Sequence, residues 1–487
     1  MRATSIISTS VLGALLFVGL PSWAQEAVGA ATPSPYEDAS AQTAPVQTPS
    51  GNSKVRIVRL SEVKGNVLLD RNTGRGFETP MTNLPITEGV KLKTGEGLAE
   101  VEFEDNSTVR VGQNSLVEFP RLELLHSGAK ASSINVLQGT VYVSLMNTRG
   151  NEFAVTFGKE KLNLPPDTHI RLQLTPDKAN VAVLHGDALL DQPAGSTPVG
   201  KNKTMTFNLV GESQPVIAKS VTEEPLDAWD HDATQYHKNY ANATSFGNSP
   251  YSYGINDMNY YGSFIDASGC GGGSMWRPYF TSASWDPYGS GAWAYYPSAG
   301  YSWVSPYPWG WTPFHYGSWS FCQGIGWGWQ PGGAWMGLAN NSFTSSPNRP
   351  RPPIHAPVTA QATIVPVNLK ALSASSLGAH DTFVFRNNSA GLGVPRGTLG
   401  KLNGFSSKTA AHGTANANVY WAGSQRAASQ SAARSGNSGG NSAAMSSVSN
   451  SSMSSASSRS YSSGSQSGAS GAGSHGSGAS GGGGGRH

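Results

Sequence analysis

Cysteine is almost missing from this chain, with two residues, Cys270 and Cys322, in 487. That count excludes a disulfide-dense scaffold and any four-cysteine zinc site. Charged residues are sparse too, at 13%, and between 25 and 300 acids outnumber bases by about eight, which excludes a strongly basic nucleic-acid binder in the front half. No apolar run reaches the ~18 residues needed to span a bilayer, so no transmembrane segment is expected in the mature chain. The hydrophobic share is only 38%, against 59 glycines and 30 prolines, which excludes one close-packed globule over the whole length. Catalytic signatures are missing as well: there is no Gly-x-Ser-x-Gly elbow, His-Glu-x-x-His pair, phosphate-cradling Gly-Lys-Ser/Thr loop or calcium loop of alternating acids. No catalytic residue, metal or cofactor is therefore assigned, and the chain is expected not to be an enzyme.

What is present begins with an address. Arg2, the apolar stretch Val11 to Leu20 and the small residues Ser22 and Ala24 around Trp23 form a cleavable secretory signal over 1–24, with cleavage before Gln25. The expected location is periplasmic or extracellular, at the cell surface. Residues 25–54 are rich in Ala, Pro, Thr, Ser and Gln without a period, as a flexible leader would be. From 55 to 218 apolar and polar residues alternate in short runs. Val101 and Phe103 alternate with Glu100, Glu102 and Glu104; Val141, Val143 and Leu145 follow, then Phe153, Val155 and Phe157. About ten half-buried antiparallel strands, closing as a sandwich or roll, are expected from this pattern. The three glutamates read as the solvated side of their strand.

Within this stretch Gly65-Asn66-Val67, Glu88 to Gly95, Ala99 to Ser107, Asn114-Ser115, Leu137 to Val141 and Val183 to Asp187 are similar in order and spacing to the FecR domain. The resemblance covers roughly 56–190. It implies an extracytoplasmic β-rich binding or signalling module. Leu164-Pro165-Pro166-Asp167-Thr168 departs from that pattern, and the anti-sigma segment and membrane helix of classical FecR regulators are not found ahead of the domain.

A helix is expected over 224–240, opening at Pro225-Leu226-Asp227, where proline and carboxylates suit a first turn. Asp227 and His231 share a helical face, but too few ligands surround them for a metal site, and capping explains them better. His185 and His315 are isolated, and packing is the plainer reading of both. From 250 to 340 the chain is dominated by tryptophan: ten of thirteen fall between Trp276 and Trp335, in repeated Trp-x-Pro units. This stretch is similar to an uncharacterised Trp-rich domain that follows FecR modules in some bacterial envelope proteins, a likeness that brings no activity with it. A small β module of short strands and tight turns is expected. Few aliphatics are available, so aromatic rings must fill its core, with Trp309, Trp311 and Trp319 as central members. Trp276 and Trp285 are the choices for an exposed pair able to stack on a sugar. Cys270 and Cys322 enclose most of the repeat and are expected to form a disulfide in an oxidising compartment.

Residues 341–423 read as a Pro-rich, weakly structured region and 424–487 as a disordered basic tail, more than half serine and glycine. One register follows from parity: an odd hairpin loop centred on Asn106 would pair Phe103 with Val109 and Glu102 with Arg110, with Asn106 at positive φ. Taken together, the chain reads as an exported, non-enzymatic envelope protein, mainly β, whose FecR-like domain binds or scaffolds an envelope protein or polysaccharide. Two alternatives stand beside it: a sensor in a sigma-factor or TonB-type relay whose anti-sigma part lies on another chain, and a carbohydrate-binding or carbohydrate-active protein working through the Trp-rich module.

Overall fold

Alternating sequence makes strands because successive side chains point to opposite faces, and one apolar face must be covered. Residues described by the computed structural model are 56–193, 195–211, 214–241, 246, 252–270, 273–297, 300–332, 350–357, 364–367 and 382–418. The expected signal, the leader and the 424–487 tail lie outside the described residues. Sixteen strands between Val58 and Ala218 pair into one hydrogen-bonded arrangement, more than the ten or so expected. The surplus comes from pieces such as Pro85–Ile86 and Val67–Asp70, which are too short to show a period.

The pivot of this domain is the 15-residue strand Lys130–Ser144. Its first half pairs with Leu116–Leu124 and Glu152–Phe157; its second half pairs with Thr108–Val111 and His169–Leu174. The strand therefore belongs to two layers, and Gly139, with φ +91°, lies at the change of layer. A Cβ there would stand 2.1 Å from the Ser115 hydroxyl oxygen, so glycine is required. Both layers contribute to one apolar core, in which Phe157 of the first meets Phe207 of the second edge to face at 5.1 Å. One pair is not antiparallel: Ala131–Asn135 runs parallel to Glu152–Thr156. Parallel neighbours need a crossover. Here the second half of the long strand and residues 145–151 supply it.

The hairpin at Asn106 corrects the expected register. Its loop is odd, and Val101 does share a face with Val109, but the ladder pairs Glu100 with Arg110 and Glu102 with Thr108. Phe103 closes the turn, accepting from the Asn106 amide at 3.0 Å and donating to the Ser107 carbonyl at 2.8 Å. This is a three-residue loop, 104–106, centred on Asp105, with Asn106 at φ +67° in the bulge position. Parity fixes which face each side chain takes but not a shift by two residues; the turn chemistry of Asp105, which accepts from the Ser107 amide, decides that.

Among the described residues four α-helices follow: α1 Asp227–Tyr240, α2 Ile255–Tyr261, α3 Thr312–His315 and α4 Leu402–His412. Between them lie a four-stranded sheet ordered Gly262–Asp266, Ser274–Pro278, Gly326–Gln330, Ser318–Cys322, and a three-stranded one ordered Gly300–Val304, Gly291–Tyr296, Ile364–Val367. The region expected to be weakly structured also contributes the pair Thr382–Arg386 and Thr414–Asn418, with α4 between them. Its apolar residues are few but well placed: Phe383, Phe385, Val394, Leu399 and Leu402 are buried in the aromatic core.

Aromatic rings build that core, as the shortage of aliphatics demands. Trp309 lies at its centre, with Tyr307 stacked on it at 5.0 Å and Trp276, Trp285 and Trp319 within 5.0 to 5.9 Å. Trp309 and Trp319 take the positions expected of them. Trp311 is also fully buried but reaches further, into the core of the sandwich beside Tyr253. Cys270 and Cys322 are joined as a disulfide. Trp276 and Trp285, the expected exposed pair, are instead inside, at 0% and 5% exposure. Trp276 lies against Gly262, whose missing side chain leaves the slot its ring fills, and its indole donates to the Met258 carbonyl. Trp285 is closed in by Tyr307, Trp309 and Trp319. Proline near a tryptophan restricts the backbone; it does not keep the ring in solvent.

Candidate functional site

The outer face of the strand Leu98–Glu102 decides how the molecule is built. Glu100 and Glu102 are 0% exposed and Glu104 is 5%, so the expected solvated side is a buried one. The reason is a second covering layer that strand alternation cannot reveal. α1 lies across the sheet, with Trp229 against Leu98 and Tyr142, and α2 and residues beyond 300 complete the cover. A buried carboxylate requires a partner. Each of the three has an arginine: Glu100 with Arg110, Glu102 with Arg59, and Glu104 with Arg56 in a two-point pair at 2.7 and 2.9 Å.

From these pairs a network spreads over five parts of the chain. Arg110 continues to Asp230 on α1 at 2.7 Å, and Asp230 meets His169 at 3.0 Å. Arg59 continues to Asp257 on α2 at 2.6 Å and donates to the Pro308 carbonyl. Asp257 also accepts from the Tyr236 hydroxyl at 2.6 Å and from Arg396 at 2.9 Å. Arg396 reaches Glu100 at 2.5 Å, where Ser61 and His237 also contact the carboxylate, at 2.8 and 3.0 Å. Gly254, at the start of α2, donates its amide to Glu102 at 3.1 Å.

The electrostatics follow from burial opposed by this surrounding charge. Burial alone pushes the Glu100 carboxyl up, but Arg396, His237 and Arg110 outweigh it and hold the group well below the usual carboxylate range. Asp257, with Arg396 and Arg59, and Asp230, with Arg110 and His169, are lowered for the same reason. Glu102 goes the other way: burial dominates and Asp257 adds to it, so its carboxyl is raised despite Arg59. The three glutamates are each held by a guanidinium and shut from solvent. That arrangement ties segments together.

The other residues singled out by the sequence pattern fall elsewhere. Asp227 accepts from the Tyr142 hydroxyl at 2.7 Å and from Arg171, so it anchors α1 to the sheet, beyond the capping role expected of it. His231 points to solvent at the helix surface. His315 is buried with its ring 4.3 Å from that of Trp311, and His185 makes an exposed pair with Asp167 at 3.3 Å. The acidic face was not legible as a buried one in the sequence. The one signal for it was the arginine on each neighbouring strand, Arg59 and Arg110, inside otherwise apolar runs.

The two domains also share a core. Tyr296 and Val304 join the sandwich cluster together with Trp311, the Tyr296 hydroxyl donates to the Pro85 carbonyl at 2.7 Å, and the Asn83 amide donates to the Ser305 and Tyr307 carbonyls at 2.9 and 2.6 Å. A cleft of about 280 Å³ opens where α1 meets the first strand and residues 396–398, lined by Glu62, Lys64, Asp232, Asn239 and Thr398.

Residues 90–189 match the FecR protein family, and residues 255–349 match a family of unknown function (DUF6600). The β domain extends past the first match on both sides, from Val58 to Ala218. No curated protein matches the chain. Two solved structures, both described as a "putative anti-sigma factor" from Parabacteroides distasonis, are similar over 28% and 29% of this chain, at 13% and 12% identity and a TM-score of 0.24 each. The chain covers 63% of the first, less than two thirds of its length, and 71% of the second. The chain thus carries a FecR-like domain followed by a second domain of a family whose function is unknown.

Proposed function

We propose that this is an exported, non-enzymatic binding or scaffolding protein of the cell envelope, in which the FecR-like domain and the aromatic domain act as one unit. The observation that carries the reading is the buried seam: the outer face of the FecR-like sheet is taken up by arginine pairs and by the second domain. A seam of this kind fixes geometry. Ligands or partners would then meet the surfaces the seam leaves open. The secretory signal over 1–24 and the disulfide both suit an oxidising compartment. With Trp276 and Trp285 inside the core, the glycan platform assigned to them has no support.

The FecR match favours one second reading, a sensor in a signalling relay whose anti-sigma part lies on another chain. One experiment bears on both. The full chain is produced in a bacterial host, recovered by cell fractionation, and its N-terminus sequenced; in-cell crosslinking then identifies neighbours. Protein starting at Gln25 in the envelope fraction, crosslinked to envelope components, is the expected result. Uncleaved protein in the cytoplasm would overturn export, and crosslinks to a membrane-bound sigma regulator would establish the second reading in place of the first.

A further inference from the structure

Arg396 comes from a part of the chain beyond both family matches, and it enters the seam from outside. Its Nε donates to Asp257 Oδ1 at 2.9 Å and one terminal nitrogen donates to Glu100 Oε1 at 2.5 Å. Its guanidinium lies over the Tyr236 ring, 4.6 Å from the centroid. Arg396 shares Glu100 Oε1 with Ser61 and His237, and Asp257 Oδ1 with the Tyr236 hydroxyl. Glu100 uses its other oxygen for Arg110, and Asp257 uses its other oxygen for Arg59. Two carboxylate oxygens and one aromatic face therefore converge on a planar cation.

The backbone around Arg396 is held as closely as its side chain. The Tyr261 hydroxyl donates to the Val394 carbonyl at 2.9 Å, and the Tyr260 hydroxyl accepts from the Leu399 amide at 3.1 Å, so neighbouring tyrosines of α2 clamp the chain on both sides of residue 396. Gly397 has φ +68°, and a Cβ there would come within 2.8 Å of the Tyr236 ring that carries the guanidinium. Only glycine lets the chain turn so near that ring.

We propose that this recess, walled by Glu100, Asp257 and Tyr236, is a guanidinium-binding site whose ligand is the chain's own Arg396, making residues 382–418 a strap that seals the seam between the two domains. The inference is independent of export and of the partner. It assigns a role to a segment whose composition alone suggests weak structure. It also implies that loss of the side chain alone leaves a site able to take a small guanidinium from solution.

Arg396→Ala in the full chain, melted with and without millimolar ethylguanidinium, tests this. The variant is expected to melt roughly 5–10 °C lower than the parent, as loss of one partner from a buried charge cluster does. Ethylguanidinium should recover a large part of that shift, and ethylammonium, which lacks the planar fork, should not. No recovery, or equal recovery with both cations, would overturn the proposal. Should the alanine variant not fold, Arg396→Lys retains the charge but not the fork. Hydrogen exchange on it should show lost amide protection at 394–412 while His169–Leu174 stays protected. Protection equal to the parent's at 394–412 would overturn the proposal as well.

Discussion

Glu100 and Arg396 stand 296 positions apart in the chain and meet at 2.5 Å beneath α1. The carboxylate also holds Arg110 on the neighbouring strand and meets His237 of α1, so with Arg396 it joins the FecR-like sheet to two later segments at once. Glu100→Gln would leave both guanidiniums buried with one fewer negative charge. It is expected to cost ~3–5 kcal/mol, far more than a surface substitution. Chemical denaturation of parent and variant measures this, and a difference under about 1 kcal/mol would mean that the seam contributes little net stability.

Acid should loosen the seam before it affects the apolar cores. Glu100, Asp230 and Asp257 have lowered folded values, so the stability they add is present above their ordinary values of 4.5 and 3.8 and is lost as pH falls through the folded ones. Glu102, raised by burial, acts in the opposite sense: its contribution is present at low pH and is lost as pH rises through its ordinary and then its folded value. Three groups outweigh one, and the melting temperature is expected to fall as pH is lowered below about 4.5. Because the groups are buried, added salt should change the result little at neutral pH. A melting temperature that rises on acidification would contradict the assignment.

Trp309 touches five aromatic neighbours, and its indole donates to the Ala390 carbonyl at 2.7 Å. Trp309→Ala should cost ~3–5 kcal/mol by cavity formation and the loss of that bond. Trp285→Ala should also destabilise, since its ring is enclosed. A Trp285 variant that melts like the parent but loses binding to polysaccharide in affinity gels would restore the platform reading.

Gly139 changes the layer of the long strand at φ +91°, with Ser115 filling the space where a side chain would begin. Gly139→Ala combines backbone strain with overpacking, each worth ~1–3 kcal/mol, so a loss of roughly 2–6 kcal/mol is expected. Thermal melts decide between this and a tolerant corner, for which the variant would match the parent.

The disulfide closes a loop with a sequence separation of 52 around most of the tryptophan repeat. Its removal by a double serine substitution should lower stability by about 4 kcal/mol in the chain-entropy view. Mass spectrometry after alkylation with and without reductant checks the bond itself; two alkyl groups taken up without reductant would refute it.

The sequence by itself determined the longer strands and the material of each core. Alternation from Val58 onward assigned Val101, Phe103 and Val109 to one face because β side chains repeat every two residues, and a segment with few aliphatics had to use its tryptophans. Both are local or compositional facts. It also carried the FecR likeness, since Thr94-Gly95 and the Asp105 turn are short-range patterns. Tertiary structure alone decided what covers the second face. A glutamate beside water and a glutamate beside a buried arginine have the same alternation, so Glu100 and Glu102 could not be told apart from solvated residues. The partners that bury them, Asp230, Asp257 and Arg396, come from distant segments, and no period links them. For the same reason Trp276 and Trp285 were misplaced and residues 382–418 undervalued: burial belongs to the packed assembly of segments, and a single segment does not record what lies against it.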